Sequence, residues 1–383
     1  MKTIIIVFVV ALICCGCSDK KLLEDVGFIH ALALDIHKIE EFEEDGALQF
    51  TVAIPQIEPE AEKDSEVLTT IARSNKEAIL NVSRQSERDL VTGQIRNVLY
   101  GVNLAKNGLQ DQIEALNRDP IFGSRLKISI INGHASELLE NEYPAHPRSS
   151  KYIDKLLDKE IRNMMVPESR LYQFTRDLYE EGIDPVAPLL KHANDEIVAD
   201  GIALFKNDQY ITKIDPNDAR VFFFLKGGSS EGTLHFDMED PATKKKAQLL
   251  YEGIKNRRKI NVSNDADGGN IQAEIDINVR GSILEYTGSL NLTDEKDMRK
   301  LESMIENHIK EVALRLIRTM QDNEVDSIGI GIFVKNSLSY EQWKQLNWRK
   351  AFPTIDVKVN VNAEIKNTGF IKNALKVKEQ EME

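Results

Sequence analysis

The sequence predicts an α+β protein of three consecutive mixed domains, the last an antiparallel sheet packed against a long amphipathic helix. Three observations carry that expectation. Strand-like runs of period two and helix-like runs follow one another without regular alternation, which sets the chain apart from a doubly wound sheet. Near the end, Ile271, Ala273, Ile275, Ile277 and Val279 alternate strictly with polar residues. Met298, Leu301, Ile305, Ile309, Val312, Leu316 and Met320 then recur at steps of three and four. Finally, 383 residues with 42% hydrophobic and 29% charged side chains suffice for a sizeable core and fit neither a disordered nor a membrane-embedded chain.

Residues 1–16 read as a lipoprotein signal peptide. Lys2 supplies a positive start, and Ile4 to Ile13 is an unbroken apolar run. A spanning helix needs roughly 20 such residues, so the run suits the core of a secretory signal instead. Gly16 before Cys17 resembles a bacterial lipobox, which makes Cys17 the expected lipidation site. An ordinary signal peptide or an uncleaved signal anchor is the plainer alternative. All 3 cysteines lie between residues 14 and 17. Cleavage after Gly16 leaves no thiol for a disulfide, a metal or catalysis.

The first domain spans 17–195. Gly27 to Ile36 and the alternating Leu48, Phe50, Val52 and Ile54 predict a hairpin across the acidic loop Glu40–Gly46. Ser74 and Glu77 form a capping box for a helix through about Asp89. Val91–Val102 reads as a strand, Asn103–Asn117 as one helix and Lys127–Ile131 as a strand. Helices follow near 134–141, 149–165 and 169–181, and Pro185 and Pro188 mark a linker. The middle domain, 196–265, opens with a hairpin turning at Asn207-Asp208, then a short helix from Pro216. Its basic clusters, Lys244–Lys246 and Lys255–Lys259, read as exposed surface.

The last domain spans 266–383. Thr293 is the expected cap of the long helix, and Asp326–Phe333 keeps a strand pattern with Gly329 and Gly331 as points of close packing. Ser339 and Gln342 form a second capping box before Trp343. Ile355 to Ile365 alternates as a final strand.

The net charge of −13 argues against nucleic acid as a partner. Enzyme signatures are thin. The seven histidines are scattered, and neither His-Glu-x-x-His nor Gly-x-Ser-x-Gly occurs. Ser124-Arg-Leu-Lys127 matches Ser-x-x-Lys but lacks the companion motifs of penicillin-binding enzymes. His134-Ala-Ser-Glu137 reads as a helix start, and Asp265–Asn270 as an interdomain turn rather than a calcium loop. No catalytic, cofactor-binding or metal-binding residue is expected.

Several features recur together in order and spacing. They are the lipobox with Cys17-Ser-Asp-Lys-Lys-Leu-Leu-Glu-Asp-Val-Gly, and Gly108-Leu109 ahead of Arg118-Asp119-Pro120. Asp326 follows with Gly329 and Gly331, then Trp343, Trp348, Phe352-Pro353 and a terminal alternating strand. In this the whole chain resembles the Ger(x)C spore germination lipoproteins, with Ser18, Leu22 and Gln94 as departures. The resemblance implies a non-enzymatic C subunit of a nutrient germinant receptor. It implies a lipid anchor on the outer face of the spore inner membrane. It also implies two partners, a membrane-spanning A subunit and a permease-like B subunit. The competing reading is a free-standing extracytoplasmic lipoprotein that binds a solute or acts on the cell wall. The first favours exposed apolar patches, the second one deep pocket with convergent polar groups.

Overall fold

The structure, a computed structural model, describes residues 25–37, 47–56, 64–227, 232–241, 243–264 and 271–367. Cys17, the acidic loop at 40–46 and the Asp265–Asn270 turn lie outside the described residues.

The first strands are β1 (Val26–Phe28), β2 (Ala31–Ile36), β3 (Leu48–Pro55), β4 (Ser65–Ala72), β5 (Asp89–Val91), β6 (Asn97–Gly101), β7 (Lys127–Ile131), β8 (Val186–Ala193), β9 (Glu196–Lys206) and β10 (Gln209–Ile214). β1 and β5 form a parallel ribbon. The other eight build one mixed sheet in the order β10-β9-β8-β7-β6-β2-β3-β4. Its helices are α1 (Asn75–Ser83), α2 (Val102–Asn107), α3 (Gln110–Arg118), α4 (Ala135–Glu140), α5 (Ser149–Arg162) and α6 (Leu171–Tyr179). α4 and α5 cover one face of the sheet, and the other four cover the opposite face.

The expected first hairpin is β2–β3, with Leu34 opposite Phe50. Ser74 caps α1 by accepting the Glu77 N–H at 3.2 Å, while Glu77 turns its carboxylate to the Arg73 N–H. The single helix expected over 103–117 is instead two, α2 and α3. Gly108 between them has φ +110°, and a Cβ there would meet Asp208 Oδ2 at 2.4 Å. That carboxylate accepts the Gln110 N–H at 3.1 Å, so α3 starts on a side chain from the β9–β10 turn.

Pro185 and Pro188 do not form a linker, because Val186–Ala193 is strand β8 inside the sheet. β7 pairs with β8 only at Leu189 and Leu190, so that ladder needs no amide from Pro188. The division expected at 195/196 therefore falls between the paired strands β8 and β9.

A second sheet follows. Its elements are α7 (Pro216–Lys226), β11 (Thr233–Glu239), β12 (Lys246–Asn264), β13 (Ile271–Tyr286), α8 (Glu295–Asp322), α9 (Ile330–Ser337), α10 (Tyr340–Gln345), α11 (Trp348–Ala351) and β14 (Asp356–Asn367). β11, β12 and β13 are antiparallel, and β14 joins β13 in parallel after the helical crossover such pairing requires. The division expected at 265/266 falls between β12 and β13, which pair along their length. The predicted alternation of β13 is buried from Ile271 to Val279, and the α8 stripe from Leu301 to Met320 packs in the same core. Asp294 rather than Thr293 caps α8, accepting the Lys296 and Asp297 N–H groups. Glu306 and Glu302 of α8 accept the N–H groups of Ala363 and Ile365 on β14, at 3.0 and 2.9 Å.

α7 buries Ala219, Val221, Phe222, Phe224 and Leu225, nearly its whole circumference. It lies between the sheets, touching β9 on one side and β12 and β13 on the other. Ile202 and Leu204 of β9 share a core with Ile275 and Ile309. The basic run 255–259 splits by strand alternation. Lys255, Arg257 and Lys259 are exposed, whereas Arg258 reaches inward to the carbonyls of Leu225 and Ile328 at 2.6 and 3.2 Å.

Asp240, just after β11, is 1% exposed. It accepts bonds from the backbone and hydroxyl of Ser289 and of Thr243. These donors, the Ser289 N–H first, hold its carboxyl well below the usual carboxylate range. A lowered folded-state pKa adds stability above the unfolded value near 4, and this is lost as pH falls. The stability gap between the native chain and Asp240→Asn should therefore narrow as pH drops from about 5 to about 2. Urea titrations at fixed pH measure it; a gap independent of pH would refute the assignment.

Candidate functional site

The most organised polar cluster among the described residues sits where the two sheets meet. Asp326 follows α8 and is fully buried. Its carboxylate accepts the N–H groups of Gly329, Ile330 and Gly331 at 2.9, 3.0 and 2.6 Å, and the indole N–H of Trp348 at 3.2 Å. This is a helix N-terminus closed by its own upstream aspartate. Gly329, at φ +76°, makes the turn into α9, so the strand pattern expected at 326–333 is overridden. Burial pushes the Asp326 carboxyl up to about 6, against the pull of its backbone donors.

Asp184, between α6 and β8, locks the first sheet to this turn. Its N–H donates to the Asp326 carbonyl at 3.0 Å, and its carboxylate accepts the Asp326 N–H at 2.8 Å. Arg349 of α11 bridges Asp184 at 3.1 Å and Asn207 at 2.7 Å. A Cβ on Gly331 would lie 2.6 Å from Gly182 Cα and 2.4 Å from Trp348 Nε1, so the backbones touch only because both residues are glycine. The Trp343 indole donates to Glu181 at 2.8 Å. Lys344 and Trp343 together bring the Glu181 carboxyl down to about 2. An open cleft of about 370 Å³ lies along this seam. Its groups are mutually satisfied, so its chemistry is that of a clamp.

A second feature is a groove of about 770 Å³ beside α5. Lys151, Lys155 and Lys159 are exposed along one row of the helix, with Arg148 at its start. His146 stacks on Tyr152 with ring centroids 4.0 Å apart, and the Tyr152 hydroxyl meets the Ile197 backbone.

The residues singled out by sequence divide accordingly. Asp326, Gly329, Gly331, Trp343, Trp348 and Phe352 converge on the seam; Gly108 and Asp119 do not. Cys17 lies outside the described residues. Lys127 of the Ser-x-x-Lys match is ion-paired to Asp154 at 2.8 Å and Asp158 at 2.5 Å. His134 precedes α4, whose first N–H groups are accepted by buried Asp35 at 2.8 and 2.9 Å. Sequence reasoning missed Asp184, Gly182 and Arg349. A glycine just past a helix and an aspartate before Pro185 were the only local signals. Among the described residues no group of three or more His, Cys, Asp or Glu is placed to hold a metal ion. Nor is any helix there long and apolar enough to cross a membrane.

The crystal structure of the GerBC protein matches this architecture with a TM-score of 0.58. The match covers 88% of this chain and 98% of that one, at 14% identity. The two-sheet body is thus a fold shared with the GerBC protein. Family models agree along the chain. Spore germination protein N-terminal domain matches residues 19–192, and Spore germination B3/GerAC like, C-terminal, matches 200–369. Spore germination protein GerQC of Bacillus cereus is 24% identical over 369 residues, covering 96% of this chain and 99% of its own. Spore germination protein KC of Bacillus subtilis (strain 168) is 21% identical over 395 residues, covering 94% of each. The chain belongs to the Ger(x)C family, as a spore germination protein like the C subunits of germinant receptors.

Proposed function

We propose that this chain is the lipid-anchored C subunit of a nutrient germinant receptor. It is held by Cys17 to the outer face of the spore inner membrane and acts by contact with the receptor's A and B membrane subunits. The observation that carries this reading is the pair of family matches spanning residues 19–192 and 200–369. Two features support it. The central polar cluster is a clamp between modules, and exposed apolar side chains remain on the surface, among them Leu80 and Ile121. On this reading the anchor raises the local concentration of the folded body for its membrane partners.

A mild-detergent pull-down from dormant spore membranes tests it. Multi-spanning A-type and B-type subunits should co-purify. If no integral protein does, under conditions that keep another receptor intact, the reading fails. A free-standing solute-binding or wall-acting lipoprotein then takes its place.

A further inference from the structure

We propose that one face of the first sheet's helical layer rests on the lipid surface itself. This face comprises the end of α1, the residues after β5 and the Asp119–Phe122 loop. The inference rests on lipidation of Cys17.

The first observation is an exposed apolar patch. Leu80 of α1 is 63% exposed, Ile121 53% and Val91 38%. Leu80, Ile121, Ile79 and Phe122 share a cleft of about 320 Å³ with Thr92. Leu80 and Ile121 would be costly to leave in water side by side without an occupant.

The second is where the chain enters. Asp25 is the first described residue, and β1 begins one residue later in register with β5. Val26 lies opposite Asp89 and Phe28 opposite Val91, directly before Thr92 in the cleft. Cys17 is eight residues before Asp25. Fully extended, that segment spans at most about 29 Å. A bilayer holding Cys17 must therefore pass within this distance of Asp25, from which the three residues of β1 lead to Val91.

The third is charge. Lys76, Leu80 and Arg84 follow one another at steps of four along the α1 row, so cations flank the apolar side chain at both ends. Of the nearby acids, Glu77 and Asp119 are engaged by backbone N–H groups, while Glu87 and Asp89 are exposed on the far side of Arg84 in sequence. Asp119 accepts the Ile121 N–H at 3.1 Å, and Glu77 accepts the Arg73 N–H at 2.9 Å. Apolar side chains between cations suit the boundary of an anionic leaflet, where the acyl edge takes the one and the headgroups the other.

The test uses the chain from Cys17 onward, in which Cys17 is the single thiol. Coupling that thiol to a maleimide lipid in phosphatidylglycerol–phosphatidylethanolamine vesicles supplies the tether whether or not the cell does. Amide hydrogen exchange is then compared between tethered and free protein. Exchange at 76–84 and 119–125 should slow by roughly fivefold or more. Leu80→Ser combined with Ile121→Ser should abolish that slowing without changing thermal unfolding, since both side chains are exposed. Equal exchange in the two states, or slowing at the Lys151–Lys159 groove instead, would overturn the proposal. So would slowing that arises only once A-type and B-type subunits are added, which would assign the patch to a protein. The mass of residue 17 in protein from native membranes decides the anchor separately.

Discussion

Asp326→Ala should cost the protein on the order of 3–5 kcal/mol of folding stability, because one side chain satisfies three buried backbone donors and a part-buried indole. The donors are the N–H groups of Gly329, Ile330 and Gly331 and the indole of Trp348. Alanine leaves them facing a void, and a buried unpaired donor costs about 1–3 kcal/mol. The sum is limited by relaxation of the turn. Damage also spreads, because the Asp326 backbone exchanges two bonds with Asp184 and so carries the joint between the sheets. Asp326→Asn keeps one acceptor oxygen and should fall between native and alanine. Equilibrium urea unfolding measures both, with Trp343 and Trp348 as reporters at the seam. A loss below about 1 kcal/mol for the alanine variant would show that the turn holds without the carboxylate.

Cys17→Ala should remove the protein from the spore membrane and slow germination while leaving the folded body unchanged. Each buried methylene of an acyl chain contributes about 0.8 kcal/mol, and two or three chains bind far more firmly than the marginal single chain. Among the described residues no helix is long and apolar enough to cross a membrane. Loss of the tether lowers the local concentration seen by membrane partners, an effect of about 10²–10⁴ for a linked module. Germination rate should fall at least about tenfold. Thermal unfolding of the purified variant checks that the folded body is unchanged. Normal germination with the protein recovered as soluble would sink the anchoring argument.

Local pattern carried much of this fold. The alternation of β13, the stripe of α8 and the capping box at Ser339 are all set by residues close in sequence, and all three formed as read. The failures have long-range causes. Gly108 breaks a helix whose apolar periodicity runs on, because Asp208, a hundred residues away, caps the second half. Pro188 reads as a linker residue until the pairing of β8 with β7 is known. Arg258 reads as surface charge until β12 has a register. The seam was half legible. Its tryptophans and glycines stood out, but Asp184 and Arg349 acquire meaning only when 142 and 165 residues of separation close up.

The carboxylates of Glu302 and Glu306 have a consequence at the sheet's rim. β14 ends the second sheet and would offer outward amides to any extended strand from another molecule. Two of those amides, at Ala363 and Ile365, are already occupied from α8. An incoming strand must displace both carboxylates and bring its own carbonyls against them. Proteins crowded on one membrane surface meet edge to edge far more often than in dilute solution. The two carboxylates therefore blunt the Ala363–Ile365 end of this rim against strand exchange.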